Sequence, residues 1–295
     1  MTNLGYFVYQ NDYPDYSSVN IGDYVQTLAA LNIYRQSINS VSKKNYTFPD
    51  FLEGVINNNI PDYNFVRIRR DNFYDIPSDD NIITLMNGWW MWPCNINEDI
   101  HFKIPENVSP IFTSFHIYND KLLEPDKLNV FRKHAPVGCR DLATLKKLEK
   151  HDIDCYFSGC LTTSINFLKH EPEDVVYLVD YKRSGMHENE KIISHHQMRI
   201  RFDPELALRT ALKVLQLYSH AKHVYTSRLH CYLPCMAMGV PVTFGTGDSK
   251  DPDVWGTGLE RFDGLRNLNN DYDAFNNIRN GFQSTLDKIT SLISN

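Results

Sequence analysis

The stretch at residues 223–244 reads as strand, turn, helix and strand, and such a unit restricts the chain to folds built on parallel strands. His223-Val-Tyr-Thr226 is short and β-prone, residues 229–238 are largely apolar, Gly239 suits a helix C-cap, and Val240-Pro-Val-Thr-Phe244 is β-prone again. The chain leaves the first strand at its carboxyl end, where open α/β sheets bind ligands, and it carries Ser227, Arg228, Leu229 and His230. The unpaired N–H groups and positive dipole of a helix start favour an anion there, and a guanidinium grips carboxylate or phosphate bidentately. His230 adds a group that exchanges protons near neutral pH. Pro234 cannot donate to the carbonyl of His230, so a kink or a late helix start is expected. A buried structural histidine beside a structural arginine is the alternative that residue types leave open.

Earlier in the chain, residues 4–10 suit a first strand. Asn20-Ile-Gly-Asp23 then opens a helix in which Ile21, Val25, Leu28 and Ala29 recur at helical spacing. Asn20, Gly22 and Asp23 therefore occupy a strand-to-helix turn, which a cap and a turn glycine explain as well as a ligand does. Residues 40–78 are polar and irregular and suggest no element. Residues 81–86 read as a buried strand that runs into Asn87-Gly-Trp-Trp-Met-Trp-Pro93, a second strand-end turn. Its Trp89, Trp90 and Trp92 form either a core cluster or a platform for the C–H faces of a sugar.

In Pro136-Val-Gly-Cys-Arg-Asp-Leu-Ala-Thr-Leu145 a short strand ends at Arg140, and Asp141 caps a helix whose Leu145 and Leu148 point inward. Arg140 stands where a strand end meets a helix start, a position that favours an anion, although a neighbouring carboxylate would also satisfy it. Tyr156-Phe-Ser-Gly-Cys-Leu-Thr-Thr163 reads as a strand and a glycine turn. Ser158, Gly159, Thr162 and Thr163 either offer donors to phosphate there or simply turn the chain. Neither a G-x-x-x-x-G-K-S/T loop nor a G-x-G-x-x-G fingerprint occurs, so ATP and dinucleotide use have no direct support.

A change of domain is expected near residues 165–174, ahead of an apolar strand at 175–179. Asp180, Tyr181, Lys182 and Arg183 follow it; by position Lys182 and Arg183 could reach a phosphate, but a charged run after a strand is usually solvated. His195 and His196 are adjacent and lack the spacing of metal ligands. Asp203-Pro-Glu-Leu206 is a helix start, with Ala207, Ala211, Val214, Leu215 and Tyr218 on the inner face. Residues 245–258 read as a long loop rich in Gly and Asp, and residues 271–293 as a last amphipathic helix.

Thirty basic against 36 acidic residues give a net charge of −6, which excludes a broad nucleic-acid or anionic-membrane surface. An anion site must therefore be local. No basic-then-apolar leader and no apolar run of membrane-spanning length is present, so a cytoplasmic location is expected. The six cysteines (Cys94, Cys139, Cys155, Cys160, Cys231 and Cys235) are expected to be reduced core residues.

Four segments in this order, Asn20 to Asp23, Val137 to Thr144, Ser158 to Thr163 and Arg228 to Pro241, resemble the polysaccharide pyruvyl transferase family. The resemblance implies an α/β fold of two Rossmann-like domains facing a central cleft, similar to two-domain GT-B-like glycosyltransferases. The expected division is residues 1–168 for the acceptor side, 169–270 for the donor side, and 271–295 as a helix packing back on the first domain. The implied reaction moves the pyruvyl group of phosphoenolpyruvate onto two hydroxyls of a hexose such as a β-galactoside, within a surface polysaccharide or its lipid-linked precursor. Phosphoenolpyruvate is then a co-substrate, no further cofactor is required, and a divalent metal is left open. With such an acceptor, peripheral association with the inner face of a membrane is compatible. Donor contacts are expected from Arg140, Ser158, Gly159, Ser227, Arg228, Leu229 and His230, with His230 as general acid or base and Asp23 as a second base. Asn87-Gly-Trp and Ser114-Phe-His116 are similar to segments of a bacterial branch of the family. This assigns Trp89, Trp90, Trp92 and His116, with Asn20 and Asp23, to the acceptor. The competing readings are a nucleotide-sugar-dependent glycosyltransferase of similar fold and a non-catalytic sugar- or anion-binding protein.

Overall fold

The computed structural model describes residues 1–10, 17–70, 76, 80–90, 102, 104–185, 187–245, 247, 264, 265, 268 and 272–294, without the side chains of 89, 90, 272, 279 and 280. The first lobe is a six-stranded parallel sheet. It is built from β1 (Thr2–Val8), β2 (Tyr63–Arg69), β3 (Ile82–Trp90), β4 (Val108–Ile117), β5 (Val137–Cys139) and β6 (Cys155–Phe157), in the order β2-β1-β3-β4-β5-β6. The second lobe is a four-stranded parallel sheet of β7 (Val176–Val179), β8 (Glu190–Ile193), β9 (His223–Thr226) and β10 (Val242–Phe244), in the order β10-β9-β7-β8. Both sheets are fed by helical crossovers: α1 (Ile21–Ser42), α2 (Phe48–Ile56), α3 (Pro125–Lys133) and α4 (Leu142–Glu149) in the first lobe, α5 (Pro204–Ser219) and α6 (Leu229–Met238) in the second. This is the α/β, Rossmann-like architecture expected from the sequence.

The helix α1 departs from the amphipathic pattern read from its spacing. Fifteen of its 22 residues are buried, because it packs against β1 on one side and against α5, α6 and the final helix α7 (Tyr272–Ser294) on others. A helix apolar on most sides is stable only when enclosed. The lobes also share backbone bonds beside its first residue: Ile21 N–H donates to the His195 carbonyl at 2.8 Å, and Gln197 N–H to the Val19 carbonyl at 2.7 Å. Two exposed ion pairs add to the seam, Arg67 with Glu205 at 2.6 Å and Arg209 with Glu53 at 2.7 Å. Each such pair contributes only about 0–1 kcal/mol, so buried packing dominates the seam.

Two expectations need correction. The polar stretch at 40–78 contains α2 and β2. The Asn87-Gly88-Trp-Trp segment is not a turn after a strand but the end of β3, continued past a bulge between Met86 and Gly88 where Gly88 takes φ +98°. Most of the loop expected at 245–258 lies outside the described residues, as do Trp92 and Cys94.

Candidate active site

In the second lobe, β9 ends at Thr226 and α6 begins at Leu229, so Ser227 and Arg228 turn the chain. Ser227 Oγ donates to the Asp180 carbonyl at 2.6 Å, and Arg228 Nε donates to the Asp180 carboxylate at the same distance. That carboxylate also accepts the His195 N–H at 3.0 Å. Asp180 holds this position in the left-handed region, at φ +47°. Burial alone would raise its pKa, but the Arg228 charge and the donors around it hold the carboxyl below its usual range. In the sequence Asp180 reads only as the first member of a solvated charge run. The available signal was its place, directly after an apolar strand.

At the start of α6 the Arg228 carbonyl accepts the N–H groups of Cys231 and Tyr232, at 3.1 and 3.0 Å, while Arg228 N–H is taken by Thr226 Oγ1 at 2.9 Å and Ser227 N–H by the Val179 carbonyl at 3.4 Å. His230 has φ −81° and ψ 16°, outside helical values, as the missing N–H of Pro234 requires. It is half-buried.

Against this turn sits the start of α1. The Asn20 side chain accepts from Gly22 N–H at 3.1 Å and caps the helix, and Asp23 meets Ser18 Oγ at 2.5 Å. A Cβ on Gly22 would stand 3.1 Å from the His230 Cβ and 3.3 Å from His195 Nδ1. Glycine thus lets the α1 turn and the α6 turn meet. The structure brings Asn20, Gly22, Asp23 and His230 into one group that no local pattern joins.

A second cationic turn lies at the end of β5 in the first lobe. Arg140 is 2% exposed, and its N–H donates to the Phe115 carbonyl at 2.8 Å. Its guanidinium makes no hydrogen bond among the described residues, and the Asp141 carboxylate stands 3.6 Å from Nε. Asp141 is occupied elsewhere: it caps α4 through Thr144 N–H at 2.8 Å and lies 2.6 Å from His116 Nδ1. That last contact has ion-pair spacing, yet burial first and the Arg140 charge second push the His116 pKa down to about 4. At neutral pH it is therefore a hydrogen bond from a neutral imidazole to a carboxylate. Burial would raise Asp141, but the His116 bond and the nearby charges outweigh it and hold it low. His116 is the backbone partner of Trp89 in the β3–β4 ladder.

Ser158 and Gly159 do not keep the donor role expected for them. Both N–H groups go to the Cys139 carbonyl, at 2.9 and 3.2 Å, and Ser158 Oγ donates to the same oxygen at 3.0 Å. Gly159 has φ +67°, and its Cβ position falls 2.3 Å from Ile278 of α7, so the turn is a packing device. Among the described residues no hydrogen bond or ion pair joins Arg140 to the Gly22–His230 group. No cluster of three or more His, Cys, Asp or Glu arranged to hold a metal occurs among them, and no described helix is long and apolar enough to cross a membrane.

Two parallel sheets, with cationic turns where strands of each give way to helices, place the molecule among two-lobed Rossmann-like proteins. Within that class the chain belongs to the polysaccharide pyruvyl transferase family, whose model matches residues 20–244. The matched span contains all four of the turn motifs. A functionally uncharacterised protein of Klebsiella pneumoniae subsp. pneumoniae NTUH-K2044 is a structural neighbour at 15% identity and a TM-score of 0.42, over 88% of this chain and 89% of that one. No curated protein gives a significant match.

Proposed function

We propose that the protein transfers the pyruvyl group of phosphoenolpyruvate to two hydroxyls of a hexose, with a β-galactoside as acceptor, forming a cyclic ketal and releasing phosphate. The observation that carries this reading is Arg140, a guanidinium 2% exposed with no hydrogen-bonding partner for its side chain among the described residues. A buried cation left so poorly paired is stable only if something else compensates it, and a small dianionic or trianionic substrate does so. Arg228 and the positive end of the α6 dipole supply a second cationic point, suited to hold the carboxylate or phosphate at its other end.

The chemistry sets the remaining demands. Carbon 3 of the enol takes a proton, carbon 2 gains cationic character, and a sugar hydroxyl adds there as its own proton passes to a base. The phosphate then leaves as the second hydroxyl closes the ketal, so of the two hydroxyl protons one balances carbon 3 and the other leaves with phosphate. His230 is the proton-moving group of this reading and Asp23, one turn into α1, the second base. The protein incubated with phosphoenolpyruvate and methyl β-galactoside is expected to release phosphate in a sugar-dependent manner and to leave a pyruvyl adduct on the sugar. His230→Gln should slow turnover by about 10²–10⁴. Binding of nucleotide sugars in place of phosphoenolpyruvate would overturn the proposal in favour of glycosyl transfer.

A further inference from the structure

We propose that Tyr9 and Gln26 form the subsite that recognises a hydroxyl of the acceptor sugar, an inference that rests on the transferase reading above. In the order β2-β1-β3-β4, the strands β1 and β3 are neighbours, but the chain leaving β1 goes to β2 on one side and the chain leaving β3 goes to β4 on the other. A crevice opens beyond the carboxyl ends of two such strands, and ligands of parallel sheets enter there. Tyr9 follows β1 directly and is 1% exposed; Gln26 lies on α1 and is 2% exposed. The Tyr9 hydroxyl and Gln26 Oε1 are both buried and find no hydrogen-bond partner among the described residues. Both converge on one point, since each lies 3.7 Å from the position of a Cβ on Gly88, the bulge residue of β3. The Thr27 hydroxyl near Tyr9 donates to the Phe7 carbonyl at 2.8 Å, so towards Tyr9 it can only accept.

Leaving one buried polar atom unsatisfied costs about 1–3 kcal/mol, and two at one place suggest a partner that arrives with the ligand. The pair also selects that partner. Burial raises the Tyr9 pKa, so it stays a phenol and donates, while Gln26 Oε1 only accepts. A donor beside an acceptor matches a neutral hydroxyl, which both accepts and donates and so uses both atoms as they stand; an anion would use only the donor. Gln26 is three residues beyond Asp23 on the same helix, a rise of about 5 Å, so the recognised hydroxyl belongs to the sugar that reacts.

The test uses Tyr9→Phe and Gln26→Leu in the full chain. Binding of methyl β-galactoside without phosphoenolpyruvate is followed by saturation-transfer NMR, together with initial rates against the parent sugar and its monodeoxy analogues. Each variant should bind the sugar about five- to tenfold more weakly and raise KM for the acceptor, leaving KM for phosphoenolpyruvate unchanged. One monodeoxy analogue should lose affinity for the wild-type protein but no further affinity for Tyr9→Phe. The thermal midpoint of Tyr9→Phe should not fall, because the removed hydroxyl has no protein partner. Sugar binding equal in all three proteins overturns the subsite and leaves the transferase reading standing. Weakened binding in the variants with no turnover by the wild-type protein upholds the subsite and overturns the transferase. A wild-type protein that binds no sugar overturns both.

Discussion

Arg140 and Arg228 occupy equivalent places, each after a parallel strand and before a helix, yet the protein holds them in opposite ways. Arg228 is 44% exposed, and a bond of 2.6 Å ties it to Asp180. Arg140 is enclosed, and its nearest carboxylate, at 3.6 Å, is already shared between His116 and the α4 cap. One cation is aimed by a tether in water, the other by packing in a medium of low polarity. A charge interacts more strongly where water is excluded, so Arg140 should dominate anion binding, while its own burial works against folding.

The comparison breaks most visibly at Arg140→Met. Met fills a similar volume without the charge, and Asp141 keeps both His116 and Thr144 N–H, so no buried carboxylate is orphaned. Turnover should fall by about 10²–10³, the loss typical of one preorganised donor removed from a transition state. Stability to urea should stay level or rise, since exchanging a poorly paired buried charge for an apolar group is often stabilising. A marked loss of stability would mean that Arg140 is a structural ion-pair member and would remove the main support for the donor site.

The second test is the pH dependence of folding. His116 has a folded pKa of about 4, below its ordinary 6.5, so the unfolded chain binds more protons between those values. Stability is therefore greatest above pH 6.5 and falls as pH drops towards 4, by about 3 kcal/mol from this group. Asp141, held below the usual carboxylate range, adds its own loss only further down. Urea titrations at pH 7 and 4.5 should show the loss in the wild-type protein, a smaller one in Arg140→Met because the charge that depresses His116 is gone, and the smallest in His116→Asn. Equal losses in the wild-type protein and Arg140→Met would show that the Arg140 charge is not felt at His116.

The sequence was most legible where a side chain acts on its own neighbourhood. Asn20, Asp141 and Asp203 cap their helices as their residue types suggest, and Pro234 displaces His230 from helical geometry. The bounds of β9 and α6 fall where the apolar pattern changes. By contrast, α2 has nine residues, too few to impose a period on a polar stretch, although Thr47 at its cap and Pro49 in its first turn were signals. Gly22 could be read as a turn glycine, but its contact with His230 joins distant parts of the chain and follows from tertiary packing alone. The same holds for Ser158 and Gly159, whose donors point back to Cys139 rather than outward, and for Asp180, whose value lies in what it holds.

The smallest expected effect lies on the exposed side of the comparison, at Asp180→Asn. Asn adopts the left-handed backbone that Asp180 holds at φ +47° as readily as Asp does, and its carbonyl oxygen still accepts from His195 N–H, so the turn should survive. Two effects on Arg228 then oppose each other. Loss of the carboxylate relieves its repulsion of an anionic substrate, worth about 1 kcal/mol at 4 Å in water. Loss of the charge-assisted bond frees a long side chain that binding must order again, at about 0.5–1.5 kcal/mol, and weakens its aim. The aim should decide, because Arg228 is of use only where it meets the same anion as the start of α6. KM for phosphoenolpyruvate should rise about two- to fivefold with kcat nearly unchanged, and stability should move by less than about 1 kcal/mol. A fall in KM would show that Asp180 restrains the site electrostatically rather than positioning its arginine, and the two cations would then differ in strength rather than in how they are aimed.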